Sequence, residues 1–135
     1  MTTAKVLQIP SSVGELFDRI TILEIKASRI ADPVKLRHVT HELGLLRVLE
    51  GQCGSPTADH ARLVAELTRI NAILWDIEDS IRDCERRQDF GARFIALARS
   101  VYKSNDHRAA LKKQLNLLHG SDIVDEKSYA SYTPV

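Results

Sequence analysis

The feature that most constrains the fold is a long row of aliphatic residues that recurs with the period of an α-helix. Its members are Leu63, Leu67, Ile70, Leu74, Ile77, Ile81 and Cys84. Side chains three or four positions apart lie on one face of a helix, so the row predicts a helix from about Asp59 to Arg86. At about 1.5 Å per residue this helix is about 40 Å long, and its apolar face has to pack against other helices.

Two shorter helices precede it. Ser12 and Glu15 have the spacing of a capping box, which predicts the start of a helix over residues 13–30. Asp32-Pro33 is typical of an N-cap followed by the first helical position, so a second helix is expected over residues 34–50. The short link between them predicts an α-hairpin.

A second helical pair is expected after the long helix. The break at residues 89–91 leads into a short amphipathic stretch that ends near Lys103. Asn105 has the character of an N-cap for a last helix, which Gly120 stops. The sequence thus predicts one all-α domain over residues 1–135, an antiparallel bundle of about five helices. Residues 1–10 are expected to be a short extended segment, and residues 121–135 an irregular tail that frays unless it packs on a helix or subunit.

The charges nearly balance, with 19 Lys and Arg against 18 Asp and Glu, which favours neither nucleic acid nor a membrane surface as a partner. Residues 76–85 carry a net charge of −4 and residues 86–113 a net charge of +6. Opposite charges within one small domain are expected to pair with each other or with a second subunit.

The two cysteines, Cys53 and Cys84, lack metal-ligand spacing, and no secretory signal precedes them. No apolar run reaches the roughly 20 residues that cross a bilayer. We therefore expect a cytoplasmic protein with reduced thiols, and no metal or cofactor.

Four ordered blocks of the sequence resemble a family of small bacterial proteins of unknown function. They are Val13–Lys26 (VGELFDRITILEIK), Leu74–Asp79 (LWDIED), Phe94–Tyr102 leading into Asn105-Asp106, and Asp125–Tyr129 (DEKSY). The resemblance implies a bacterial domain of unknown function and supplies no activity, substrate or catalytic residue. Function has to be argued from individual positions.

The first helix suggests a contact surface. Ile22 and Ile25 project opposite its main apolar row, among charged residues. Either a subunit interface or another helix of the same chain would cover them. We take them as the candidate interface of a homodimer.

A pocket is suggested where the first and third helices carry polar residues beside their apolar rows. Its candidate residues are Arg19, Lys26, Arg29, Asn71, Trp75, Glu78 and Arg82. A structural ion pair that fixes helix register is the more ordinary explanation for Glu78 and Arg82.

A second candidate, an anion site, consists of Arg99, Tyr102, Asn105 and Arg108, since helix N-terminal amides and nearby cations hold anions. The acidic residues Asp76, Asp79 and Asp83 predict a solvated face in preference to a magnesium site.

These patterns favour a non-enzymatic helical binding or assembly protein. The alternative is a small all-α enzyme or binder acting on an anionic metabolite, in the style of chorismate mutases. A magnesium-dependent protein similar to nucleotide pyrophosphohydrolases is a weaker alternative, whose ligands would be Asp76, Asp79 and Asp83 together with the pair Glu15 and Asp18.

Overall fold

The structure is a computed structural model that describes residues 4–133. Four α-helices make up this part of the chain: α1 (Val13–Arg29), α2 (Pro33–Glu50), α3 (Ala58–Arg87) and α4 (Ala92–His119). A single 3₁₀ turn, Gly51–Cys53, follows α2, and residues 4–133 contain no β-strand. The all-helical prediction is confirmed, with four helices in place of five.

The helix starts follow from local chemistry. The Ser12 hydroxyl accepts a hydrogen bond from the Glu15 amide at 3.1 Å, which is one half of the predicted capping box, whereas the Glu15 carboxylate binds Lys112 in place of the Ser12 amide. The Asp32 carboxylate accepts from the amides of Val34 and Lys35 at 2.8 and 3.1 Å. These bonds satisfy amides that the helix itself leaves without a partner, which is why α1 and α2 begin where the sequence predicts.

The predicted break near Asn105 was wrong, because α4 runs through it without interruption. Asn105 lies inside α4, where its side-chain oxygen accepts a hydrogen bond from Nη1 of Arg108 at 3.3 Å. Asparagine costs a helix interior only a fraction of a kcal/mol, about 0.7 at most, and residues 92–119 contain no Gly or Pro to stop the helix. The helix ends at Gly120, which adopts the left-handed conformation at φ 63°.

The core lies where α1, α3 and α4 meet. Its buried cluster consists of Phe17, Ile20, Leu63, Leu67, Ile70, Leu111 and Leu115. The helix pairs α1–α2 and α3–α4 are in contact, and α1 also packs against both α3 and α4. This central position of α1 differs from the predicted succession of a hairpin, a long helix and a separate pair.

Helix α2 is the least buried of the four. Val39 is its only buried residue, and Leu43 and Leu46 pack against the edge of the core cluster. Leu36 is half-buried, whereas Val34, Leu45, Val48 and Leu49 are exposed, so α2 keeps one apolar side open to solvent.

The terminal segments have no regular structure among the described residues. Residues 4–10 are exposed and form no strand. Residues 121–133, called the tail below, are irregular but attached to the helices: Ser121 accepts from the Val13 amide at 3.1 Å, and Ser12 donates to Asp125 at 3.3 Å. Residues 1–3 and 134–135 of the predicted terminal segments lie outside the described residues.

Candidate functional site

The site begins with a close approach between α1 and α4. The Gly14 amide donates to the side-chain oxygen of Asn116 at 2.6 Å, and both residues are buried. A Cβ at position 14 would overlap the Lys112 carbonyl group and lie 2.9 Å from that Asn116 oxygen. Only glycine therefore fits here, and its absent side chain lets the next turn of α1 face the cations of α4.

Asp18 is the centre of a buried polar network. Its side chain is 1% exposed, and its two oxygens accept from Nε and Nη2 of Arg108 at 3.0 and 2.8 Å. The Asn71 amide nitrogen donates to Asp18 at 2.9 Å and to the Thr21 hydroxyl at 3.0 Å. A forked arginine with an amide donor is the geometry that compensates a buried carboxylate, so the network joins α1, α3 and α4.

Lys112 extends this network towards the protein surface. Its ammonium lies 2.5 Å from the Glu15 carboxylate and 3.7 Å from that of Asp18, and its side chain is 14% exposed. The pair Glu15 and Asp18 is thus occupied by the cations of α4. That arrangement does not suit the magnesium-binding role considered for these two carboxylates.

An open cavity of about 570 Å³ adjoins the network, between α4 and the tail. We call it the α4–tail cavity. It is lined by Val101, Tyr102, Asn105, Asp106, Arg108, Ala109, Lys112, Lys127, Tyr129, Ala130 and Tyr132. Its volume falls within the range of sites that hold small molecules, roughly 300–1,000 Å³.

The aromatic part of the cavity is built from both of its walls. The rings of Tyr102 on α4 and Tyr132 on the tail meet edge to face, with centroids 5.1 Å apart at 62°. Hydrogen bonding to the Asp106 carboxylate raises the pKa of the Tyr132 hydroxyl. These contacts attach the end of the tail to α4.

The cations of the cavity differ in how they are paired. Arg108 and Lys112 are held by Asp18 and Glu15, whereas Lys127 forms no ion pair with any residue between 4 and 133. Lys127 is therefore the cation of the lining that a bound anion could engage without competition.

The predicted anion site is brought together in part. Tyr102, Asn105 and Arg108 all line the α4–tail cavity. Arg99 is exposed on α4 and does not belong to the lining. No helix begins at Asn105, so any anion held here would be bound by side chains, without helix N-terminal amides.

The residues of the predicted pocket lie apart from one another, and none of them lines the α4–tail cavity. Asn71 belongs to the buried network, and Lys26 is half-buried on α1. The others take part in pairs near the surface. Arg19 bonds Glu42 at 2.6 Å, Arg29 bonds Asp76 at 2.7 Å and lies over the Trp75 ring at 5.7 Å, and Arg82 pairs with Glu78 one turn away.

The acidic stretch of α3 pairs with nearby cations. Asp83 lies within 2.5–3.3 Å of Arg86, Arg87 and Arg93. Hydrogen bonds from Arg93 and Arg86 lower the pKa of Asp83. The opposite charges of residues 76–85 and 86–113 thus meet within the chain at this point.

The predicted interface face is mostly covered by the chain's own helices. Ile25 is buried and Ile22 is half-buried in the single chain. The face thus has little apolar area left for a partner.

A histidine pair was not anticipated from the sequence. Nδ1 of His60, at the start of α3, lies 2.8 Å from Nε2 of His119, at the end of α4. The rings of His60 and Phe17 meet edge to face with centroids 4.5 Å apart. Burial, and then the charge of His119, lower the pKa of His60. The two residues are 59 positions apart, so no local pattern links them.

Two further findings concern the described residues as a whole. Between residues 4 and 133, no three His, Cys, Asp or Glu side chains are arranged to hold a metal ion. None of the helices in that range combines the length and the apolar character that crossing a bilayer requires.

Comparison with known proteins identifies the family. The model of a family of unknown function, DUF6165, matches residues 7–135. The chain belongs to DUF6165. No curated protein and no solved structure matches it, so no homologue or related structure names a function for this DUF6165 chain. Three of the four blocks quoted above meet at the site: the first supplies Asp18, the third Tyr102 and the last Lys127.

Proposed function

We propose that this chain is a helical binding protein and that the α4–tail cavity is its site for a small anionic molecule. The observation that carries the proposal is the lining of this cavity, which combines three cations with three tyrosines around about 570 Å³. Sites for small molecules typically have mostly apolar walls and a few fixed polar groups that orient the ligand.

The buried network supports this proposal because it fixes the floor of the cavity. Asp18 accepts from both Nε and Nη2 along one edge of the Arg108 guanidinium, and Glu15 accepts from the ammonium of Lys112. Because these side chains are already fixed, little conformational entropy is lost when a ligand binds, which favours affinity. Lys127, which has no carboxylate partner among residues 4–133, supplies a positive charge that a ligand can neutralise.

Binding is favoured over catalysis by the positions of the charged residues. A site in the style of chorismate mutases called for Arg19, Arg29 and Glu78 around one substrate. Each of these side chains instead has its own partner near the protein surface. We therefore assign the chain a ligand and no reaction.

Thermal denaturation with a panel of phosphorylated and carboxylated metabolites tests the proposal. A ligand at 100 times its Kd stabilises the folded state by about 2.7 kcal/mol, which is a clear rise in Tm. Lys127→Ala should reduce the rise, whereas Arg99→Ala, which removes an exposed cation of α4 outside the cavity, should leave it unchanged. No rise with any member of the panel, or an equal loss in both variants, would refute the proposal.

We propose in addition that the chain assembles as a homodimer through α2. The support is the row of exposed apolar residues on one side of this helix, Val34, Leu45, Val48 and Leu49. A C2 dimer buries such a row against its own copy, since the same patch serves both subunits. The α2 row has more exposed apolar surface than the face of Ile22 and Ile25.

Sedimentation velocity on the full chain tests the dimer. We expect the wild type to sediment as a dimer and Val48→Asp, at a position 67% exposed, to sediment as a folded monomer. Ile22→Asp serves as the comparison, because a monomer from that variant alone would assign the interface to α1. A wild type that stays monomeric at high concentration would contradict the proposal.

A further inference from the structure

The α4–tail cavity has two chemically different ends. Tyr102 and Lys112 both belong to its lining and are separated by ten residues of one continuous helix. At about 1.5 Å per residue, their backbones lie about 15 Å apart along α4. The cavity is therefore elongated, and α4 defines its long axis.

The tail follows the same axis in the opposite direction. Glu126 lies 3.8 Å from Lys113, near the end of α4, and Tyr132 packs on Tyr102, more than two helical turns nearer its start. Lys127, next to Glu126, therefore lies at the Lys112 end. One end of the cavity is cationic and the other is aromatic.

The negative charge of Asp106 favours one orientation of an anionic ligand along the cavity. It follows Tyr102 by one helical turn and is the one carboxylate that residues 4–133 contribute to the lining. An anion at the aromatic end would meet this negative charge, whereas at the other end it meets the ammonium groups of Lys112 and Lys127. The carboxylate thus directs the charged group of a ligand away from the tyrosines.

We propose that the ligand of this cavity is an elongated molecule with a planar ring at one end and a single anionic group at the other. The ring packs against Tyr102 and Tyr132, and the anion binds Lys127 beside Lys112. One anionic group suffices because Lys127 is the one cation of the lining without a carboxylate partner among residues 4–133. This inference rests on the proposed function and specifies its ligand class.

Two matched sets of probes test the ligand class by isothermal titration calorimetry. One compares adenosine 5′-monophosphate with ribose 5-phosphate and adenosine; the other compares 4-phenylbutyrate with 4-cyclohexylbutyrate and 4-phenylbutanol. In at least one set, the compound with both ring and anion should bind about tenfold or more tightly than either partial compound, the usual effect of one stacked ring. The set that shows this difference indicates whether the anionic group of the ligand is a phosphate or a carboxylate.

Variants locate the two ends. Tyr102→Leu should weaken binding of the two-part compound about tenfold and leave binding of the anion without an aromatic ring unchanged, because leucine keeps the apolar contact and loses the aromatic face. Lys127→Gln should weaken both anionic compounds. Phe90→Leu replaces an exposed aromatic residue outside the cavity and should change neither affinity.

The outcomes separate this inference from the proposed function. If the anions without an aromatic ring bind as tightly as the two-part compounds, or Tyr102→Leu has no effect, the ligand class is wrong while an anion site remains. If none of the anionic probes binds, both proposals are wrong.

Discussion

Replacement of Asp18 by Asn is the perturbation that the structure predicts in most detail. Asn has the same shape and can still accept from Asn71, but it removes the negative charge that Arg108 contacts at 2.8–3.2 Å. Breaking a buried ion pair by removing one partner costs about 3–5 kcal/mol. Since the Arg108 side chain remains 30% exposed, water offsets part of this cost, and we expect about 3 kcal/mol.

Urea denaturation followed by circular dichroism at 222 nm measures this loss. For a chain of this size, a loss of about 3 kcal/mol corresponds to a fall in Tm of roughly 10 °C. Asp76→Asn is the matched control: Asp76 also pairs with an arginine but is 69% exposed, so we expect less than about 1 kcal/mol. If Asp18→Asn costs no more than Asp76→Asn, the buried network does not stabilise the fold as argued here.

Two further predictions concern other contacts of the same helices. In urea titrations, Gly14→Ala should lower the free energy of unfolding by about 1–3 kcal/mol, because the new methyl group overlaps the Lys112 carbonyl group. Gly44→Ala should raise it by roughly 0.5–1 kcal/mol, because the space around its Cβ is open. Equal effects of the two alanines would contradict the close approach of α1 and α4. Because the pKa of His60 is lowered by folding, the unfolded chain binds a proton at this residue more readily than the folded chain does. The contribution of neutral His60 to stability is therefore complete above about pH 6.5 and is lost as the pH falls below that value. Urea midpoints between pH 7.5 and pH 5 should therefore fall more steeply for the wild type than for His60→Gln, and parallel curves would refute this role.

The helices were predictable where their signals are local. The caps at Ser12 and Asp32 and the stop at Gly120 each depend on residues within one helical turn, and all three are confirmed. The failure at Asn105 is instructive, since the same residue type caps helices and also tolerates their interior. With no Gly or Pro nearby, the apolar period alone did not distinguish one long helix from two.

The site was predictable only in part because its contacts join distant positions. Asp18 was considered only as a magnesium ligand, yet its partners Asn71 and Arg108 follow it by 53 and 90 residues and make its burial possible. Tyr102 and Arg108 were found because both lie in the basic stretch of α4. Lys127 was missed as a site residue because the tail has no helical period, so the sequence does not indicate which of its side chains face α4.

The α4–tail cavity exists only because the tail lies along α4 and forms its second wall. Nuclear Overhauser cross-peaks between the ring protons of Tyr102 and Tyr132 test this directly, since the two ring centroids are 5.1 Å apart. Phe90 and Phe94, at 5.3 Å, serve as the internal reference. We expect cross-peaks for both pairs; cross-peaks for the phenylalanines with none for the tyrosines would contradict this position of the tail.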